Sequence, residues 1–94
     1  MYLVEFIAEF SQTIHKLYDI YIKKNADYGD SFSKAMAEFG AISFVVRASD
    51  KMERLKNLVN KDPVVTNESF NDTVEDLALY CIMYLMEVEN KRER

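Results

Sequence analysis

Glycine, proline, cysteine and histidine are scarce in this chain and tryptophan is absent. The 94 residues include two Gly, one Pro, one Cys and one His. With so few turn-forming residues, breaks between elements are rare and easy to place. Glycine-rich phosphate loops, dinucleotide fingerprints and nucleophile motifs are missing. The lone Cys81 excludes a disulfide framework within the chain, which fits a reducing cytoplasm. It lies in an apolar run with no obvious neighbouring base, so it reads as a small core residue. His15 reads as a half-buried structural residue, since no second imidazole or thiolate supports a zinc site. Long hydrophobic runs are also lacking. The longest, Leu77–Met86, is too short to span a bilayer. The segment Met1–Phe10 carries Glu5 and Glu9 and no basic start, so it does not read as a signal peptide. Basic charge is outweighed: the net charge is −4 and the pI about 4.9. That argues against a nucleic-acid polyanion as the main partner, because duplex binding usually needs a basic face. A nucleotide, held by a metal and a few local cations, stays open.

What is present is helix-forming sequence. Apolar residues make up 49% and charged residues 30%, which marks a globular chain rather than a disordered one. Its length suits one domain, 1–94. Leu3, Phe6, Ile7, Phe10, Ile14, Leu17, Tyr18 and Tyr21 recur at helical spacing and predict a first helix over about 2–24. The stretch 25–30 reads as a turn, with Asp30 or Ser31 capping a short helix that carries Phe32, Ala35, Met36 and Phe39. Gly40 ends that helix or allows a kink. Ile42, Val45, Val46, Ser49, Met52, Leu55 and Val59 define the next helix, to about Asn60. The stretch 61–65, with Pro63, reads as a loop, and Thr66 or Asn67 as the cap of a last helix over about 68–90. Leu77–Met86 is apolar all round, so this helix should be enclosed on most sides. A chain this short buries only a modest core, so copies of itself should supply part of the cover. The expected fold is all-α, an antiparallel bundle of three to four helices completed by oligomerisation, as a dimer or tetramer. Lys91, Arg92 and Arg94 read as a solvated tail.

Several carboxylates sit where a helix should be apolar. Glu53 projects into the same sector as Ile42, Val46 and Ser49. Glu68, Asp72 and Glu75 project in line with Leu79, Met83 and Met86. An ionised carboxylate on a core-facing stripe is costly unless a cation or strong donor meets it. Asp50 and Glu53, three apart, share one face, as do Asp72 and Asp76, four apart. Oxygen-rich clusters of this kind suit Mg²⁺, with Mn²⁺ as substitute, and such ions then bind phosphate oxygens. Asp50, Glu53, Asp72 and Asp76 are therefore the candidate metal ligands. Glu68 and Glu75 are the candidates to orient or deprotonate an attacking water. The bland alternative is ordinary ion pairing. Asp50 can reach Arg47 or Arg54, Glu53 can pair across helices, and Glu68 sits where acids favour a helix N-terminus.

Cations and the 24–32 stretch form the second candidate group. Lys24 can supply a point charge, Tyr28 can stack on a base, Asp27 belongs to the same turn, and Gly29 allows close backbone approach. Arg47, Lys51 and Arg54 can neutralise phosphates. The alternative is a plain polar interhelical loop.

These residues resemble a known family. Lys24, Asp27-Tyr28-Gly29-Asp30-Ser31-Phe32, Gly40, Arg47, Asp50-Lys51, Arg54-Leu55, then Glu68, Asp72-Thr73, Asp76-Leu77-Ala78 and Tyr80 resemble the nucleotide-modification-associated domain of the first type, common in phages and prophages. The resemblance covers about 24–89 and leaves 1–23 as an N-terminal packing helix. More distantly, the pattern is similar to the all-α nucleoside triphosphate pyrophosphohydrolases, MazG-like and dimeric dUTPase-like, which hold Mg²⁺ on paired acids. Asp50-x-x-Glu53 would stand for the first of their pairs. The second pair departs: Asp72 and Asp76 are four apart, and Asp72-x-x-Glu75 reverses the order. The resemblance implies Mg²⁺-dependent hydrolysis of a (deoxy)nucleoside triphosphate to monophosphate and pyrophosphate, linked to modified-nucleotide metabolism. The lone cysteine, the short apolar run and the acidic balance place the protein in the cytoplasm, the host's if phage-encoded, with no membrane and no direct nucleic-acid partner expected. Two other functions stay open: nucleotide capture without hydrolysis, which the imperfect second pair favours, and a helical protein-interaction module.

Overall fold

The computed structural model describes residues 3–61 and 63–90, with side chains described except at 26–30 and 63–68. The described residues form three helices: α1 Leu3–Phe39, α2 Ile42–Leu58 and α3 Pro63–Asn90. The all-α expectation holds, with two changes of boundary. The expected turn at 25–30 is helical, so the first two expected helices are one. Each isolated Gly or Asn costs a helix up to about 1 kcal/mol, and packing on both sides outweighs that here. Tyr21 and Leu17 pack against the core on one side of the stretch, and Phe32 is buried on the other. The last helix starts at Pro63, so Thr66 and Asn67 lie within it. Proline at a first helical position loses nothing, because its missing N–H has no intrahelical partner there.

Gly40 ends α1. Its φ is +74°, the left-handed conformation, and its N–H donates to the Met36 carbonyl at 2.9 Å. That is how a glycine satisfies orphan carbonyls at a helix end. Ser43, buried in the first turn of α2, donates to the Ala35 carbonyl at 2.8 Å and pins the corner.

Helices α2 and α3 run antiparallel in a constant register. Phe44 packs on Tyr84, Arg47 lies over Tyr80, Lys51 meets Asp76, and Arg54 meets Thr73. Steps of three or four down α2 are answered by steps of three or four back along α3, which keeps these residues on the shared face. Helix α1 crosses α3 instead of following it. Lys16 meets Glu75, Lys24 meets Asp76 and Phe32 meets Tyr80. From Lys16 to Phe32 is about 24 Å of helix at 1.5 Å per residue, yet its partners span barely more than one turn of α3. The core is Phe32, Leu79 and Met83, with Leu17, Ile20, Tyr21, Met36, Phe44, Tyr80 and Tyr84 packed around it.

Much apolar surface stays open in the single chain. Ile42, Val45, Val46 and Met52 of α2 are exposed, as are Ile82 and Leu85 in the apolar run of α3. Two sequence expectations are corrected. Cys81 is exposed, on a side of α3 that α1 and α2 leave uncovered. His15 is exposed too, stacked on Tyr18 and 3.8 Å from Asp19. The edge of an apolar stripe is buried only if something covers that part of the stripe.

Candidate functional site

The constant register lines up α2's cations against α3. Arg47, Lys51 and Arg54 lie on one face of α2 at intervals of four and three. Lys51 Nζ is 3.5 Å from one oxygen of Asp76, and Lys24 Nζ, arriving from α1, is 3.1 Å from the other. One carboxylate thus holds two ammonium groups from two helices. Arg47 is fixed by aromatic faces: its guanidinium carbon is 5.2 Å from the Phe32 ring centre and 5.8 Å from that of Tyr80. Cation–π contact of this kind is worth about 0.5–1 kcal/mol at accessible sites. One of its terminal nitrogens donates to Ser31 Oγ at 3.4 Å. Arg54 Nε donates to Thr73 Oγ1 at 3.1 Å, and that buried hydroxyl donates in turn to the Ser69 carbonyl at 2.7 Å. The result is a polar seam along three helices, with four cations and Asp76 as the carboxylate in its described ion pairs.

The structure therefore brings together Lys24, Arg47, Lys51, Arg54 and Asp76 of the sequence candidates. It scatters the other described acids. Glu53 is 69% exposed and 3.9 Å from Lys56, one turn along the same helix. Its sector does coincide with Ile42 and Val46, but that sector faces outward in the single chain, so the core-facing reading of Glu53 is corrected. Asp50 and Asp72 are exposed. Glu75 is half-buried and 3.2 Å from Lys16. Among the described residues, no three of His, Cys, Asp and Glu form a group that could hold a metal ion. The side chains of Asp27, Tyr28, Gly29 and Glu68 lie outside the described residues. Sequence reasoning missed Thr73 and Ser31 as partners of the arginines, although both stand in the motifs quoted above. It also missed Tyr80 and Phe32 as Arg47's platform. The i, i+3, i+7 spacing of Thr73, Asp76 and Tyr80, opposite that of Arg47, Lys51 and Arg54, was the available signal.

Beside the seam, a groove of about 540 Å³ is lined by Ala35, Phe39, Ile42, Val46, Arg47 and Asp50. No described helix is long and apolar enough to cross a membrane. No curated protein and no solved structure matches the chain. A family model does match, over residues 24–88, and these include every cation, hydroxyl and carboxylate of the seam. The chain belongs to the family described as nucleotide modification associated domain 1.

Proposed function

We propose that this protein binds the phosphates of a nucleotide along the seam, in the service of modified-nucleotide metabolism. One observation supports it most. Lys24 and Lys51 converge from separate helices on a single carboxylate, in line with Arg47 and Arg54. Among the described ion pairs and contacts, the seam sets four cations around one carboxylate, in a chain whose net charge is −4. Such a local excess attracts an anion, and arginine adds planar, two-point contact with phosphate oxygens. The two rings hold Arg47's plane in place, so little freedom is lost on binding.

Hydrolysis is the more demanding form of this function. Magnesium commonly needs only one or two carboxylates when phosphates supply its other ligands. Exposed Asp50, Asp72 and Glu53 fit that role in chemistry and access. Asp76 is engaged by two lysines, so its part in this reading is to place cations. A bound Mg²⁺, or Mn²⁺ in its stead, would neutralise phosphate charge. Glu75, with Glu68, would orient a water and take its proton, and the chain would release pyrophosphate from a (deoxy)nucleoside triphosphate. The engagement of Asp76 by lysines favours a second version, capture without turnover. In either version the chain assembles with copies of itself.

The test is a thermal-shift matrix of Mg²⁺ and Mn²⁺ against a panel of NTPs and dNTPs, with products resolved by chromatography. A ligand at a hundred times its Kd stabilises the native state by about 2.7 kcal/mol. The expected result is a nucleotide-selective rise that Lys24→Met with Lys51→Met abolishes. Pyrophosphate release then identifies a hydrolase, and its absence a capture protein. No rise with any nucleotide would refute the proposal and point to a helical protein-interaction module.

A further inference from the structure

Residues 3–23 of α1 precede the matched 24–88. In this segment Leu3, Ile7, Phe10, Ile14, Leu17 and Tyr21 recur at alternating steps of four and three. That 3.5-residue period is the spacing of a helix meant to lie along another helix. The far end of the stripe is already used: Leu17 and Tyr21 pack against the core beside Leu79. The near end is not, and Leu3 is 74% and Phe10 64% exposed, with Phe6, Ile7 and Ile14 exposed between and beside them. Where the stripe leaves α3, an apolar cleft of about 250 Å³ opens, lined by Ile14, Leu17, Tyr18, Leu79, Ile82 and Met86.

We propose that the first half of α1 is a self-association helix. Its stripe packs on the same stripe of a second copy, with a side chain of each copy filling the other's cleft. The open side chains from Leu3 to Tyr18 include Phe6, Phe10 and Tyr18, and a large aromatic alone can bury about 150–250 Å². A standard interface buries about 800 Å² on each partner, and this stripe supplies a large apolar share of that, with its polar flanks as the rim. A two-fold pairing uses one self-complementary patch on both copies, as most homodimers do. A lipid surface is the poorer occupant. Interfacial helices carry Lys and Arg on the polar face, whereas residues 3–14 of this one carry Glu5 and Glu9 and neither Lys nor Arg. The inference rests on the self-assembly stated above but not on the nucleotide.

Sedimentation equilibrium of the full chain tests it, against Ile7→Glu with Phe10→Glu. The expected wild-type mass is a multiple of 11.0 kDa, and the expected variant mass is 11.0 kDa with unchanged helical circular dichroism. If the double variant loses helix, Leu3→Glu takes its place, with at least a tenfold weaker association expected. A wild-type mass of 11.0 kDa at every concentration would overturn the inference. So would a variant that associates like the wild type, or a monomeric wild type that floats with vesicles of anionic or zwitterionic lipid. The substitutions avoid Lys24, Lys51 and Asp76, so nucleotide-induced shifts in the monomeric variant report on the phosphate seam separately.

Discussion

Replacing Asp76 by asparagine should move fold stability and anion affinity in opposite directions. The substitution keeps size and hydrogen-bonding capacity but removes the charge on which Lys24 and Lys51 meet. The carboxylate side chain is 20% exposed, while the lysines are 44% and 29% exposed. Solvent screens such pairs, and accessible ion pairs are worth about 0.2–1 kcal/mol each. Two pairs, plus the new repulsion between the lysines, give a loss of about 1–2 kcal/mol. At about 4–8 °C per kcal/mol for a domain of this size, Tm falls by roughly 4–16 °C. Phosphate binding behaves otherwise. A unit charge removed about 5 Å from the ligand, at an effective dielectric between that of a protein surface and that of water, changes binding by about 1–2 kcal/mol. Calorimetric titration with the nucleotide that gives the largest thermal shift should therefore show about five- to thirty-fold tighter binding. The gain should shrink as salt shortens the screening length. Weaker nucleotide binding by a folded Asp76→Asn protein would refute the reasoning and make Asp76 a metal ligand.

Substitutions at two further positions test the frame that holds the seam. Leu79 is 2% exposed at the centre of the core, so Leu79→Ala should cost about 2–5 kcal/mol in chemical denaturation; a loss below 1 kcal/mol would show that the site repacks freely. Gly40 has φ +74° and nothing within 4 Å of an added Cβ, so strain there is purely conformational. Gly40→Ala should lose about 1–2 kcal/mol, and Gly40→Asn less, since asparagine tolerates the left-handed region. Equal losses for the two would contradict a conformational origin.

The sequence carried most of the fold because apolar periodicity is a local property. Helix α2 starts at Ile42 as expected, and Gly40 marks the corner through its own backbone freedom. The stretch 25–30 misled because Asn25, Asp27, Gly29 and Asp30 are turn residues by local chemistry. Contacts from α3 to residues on both sides decide it, and no local pattern records them. The seam was half legible. Arg47, Lys51 and Arg54 were evident as one helical face, but Lys24 joins them only through the crossing of α1 over α3. The acids failed for a different reason. Glu53 does share a face with Ile42 and Val46, but an apolar face is buried only where a partner exists. Helix α3 takes the opposite face of α2, through Phe44, Arg47, Lys51 and Leu55.

The crossing of α1 has a kinetic and dynamic consequence. Helices α2 and α3 are neighbours in sequence and form a helical hairpin of local contacts, the kind that closes early in folding. The arriving α1 brings Phe32 to complete the core and Lys24 to complete the seam. A phosphate bridging Lys24 to Lys51 would bind only after that arrival, so it would act as a latch on α1. Local opening of this helix should then slow when nucleotide is added, because ligand that binds only the closed form shifts the opening equilibrium. Hydrogen exchange of α1 backbone amides distant from Lys24 would read the state of the latch.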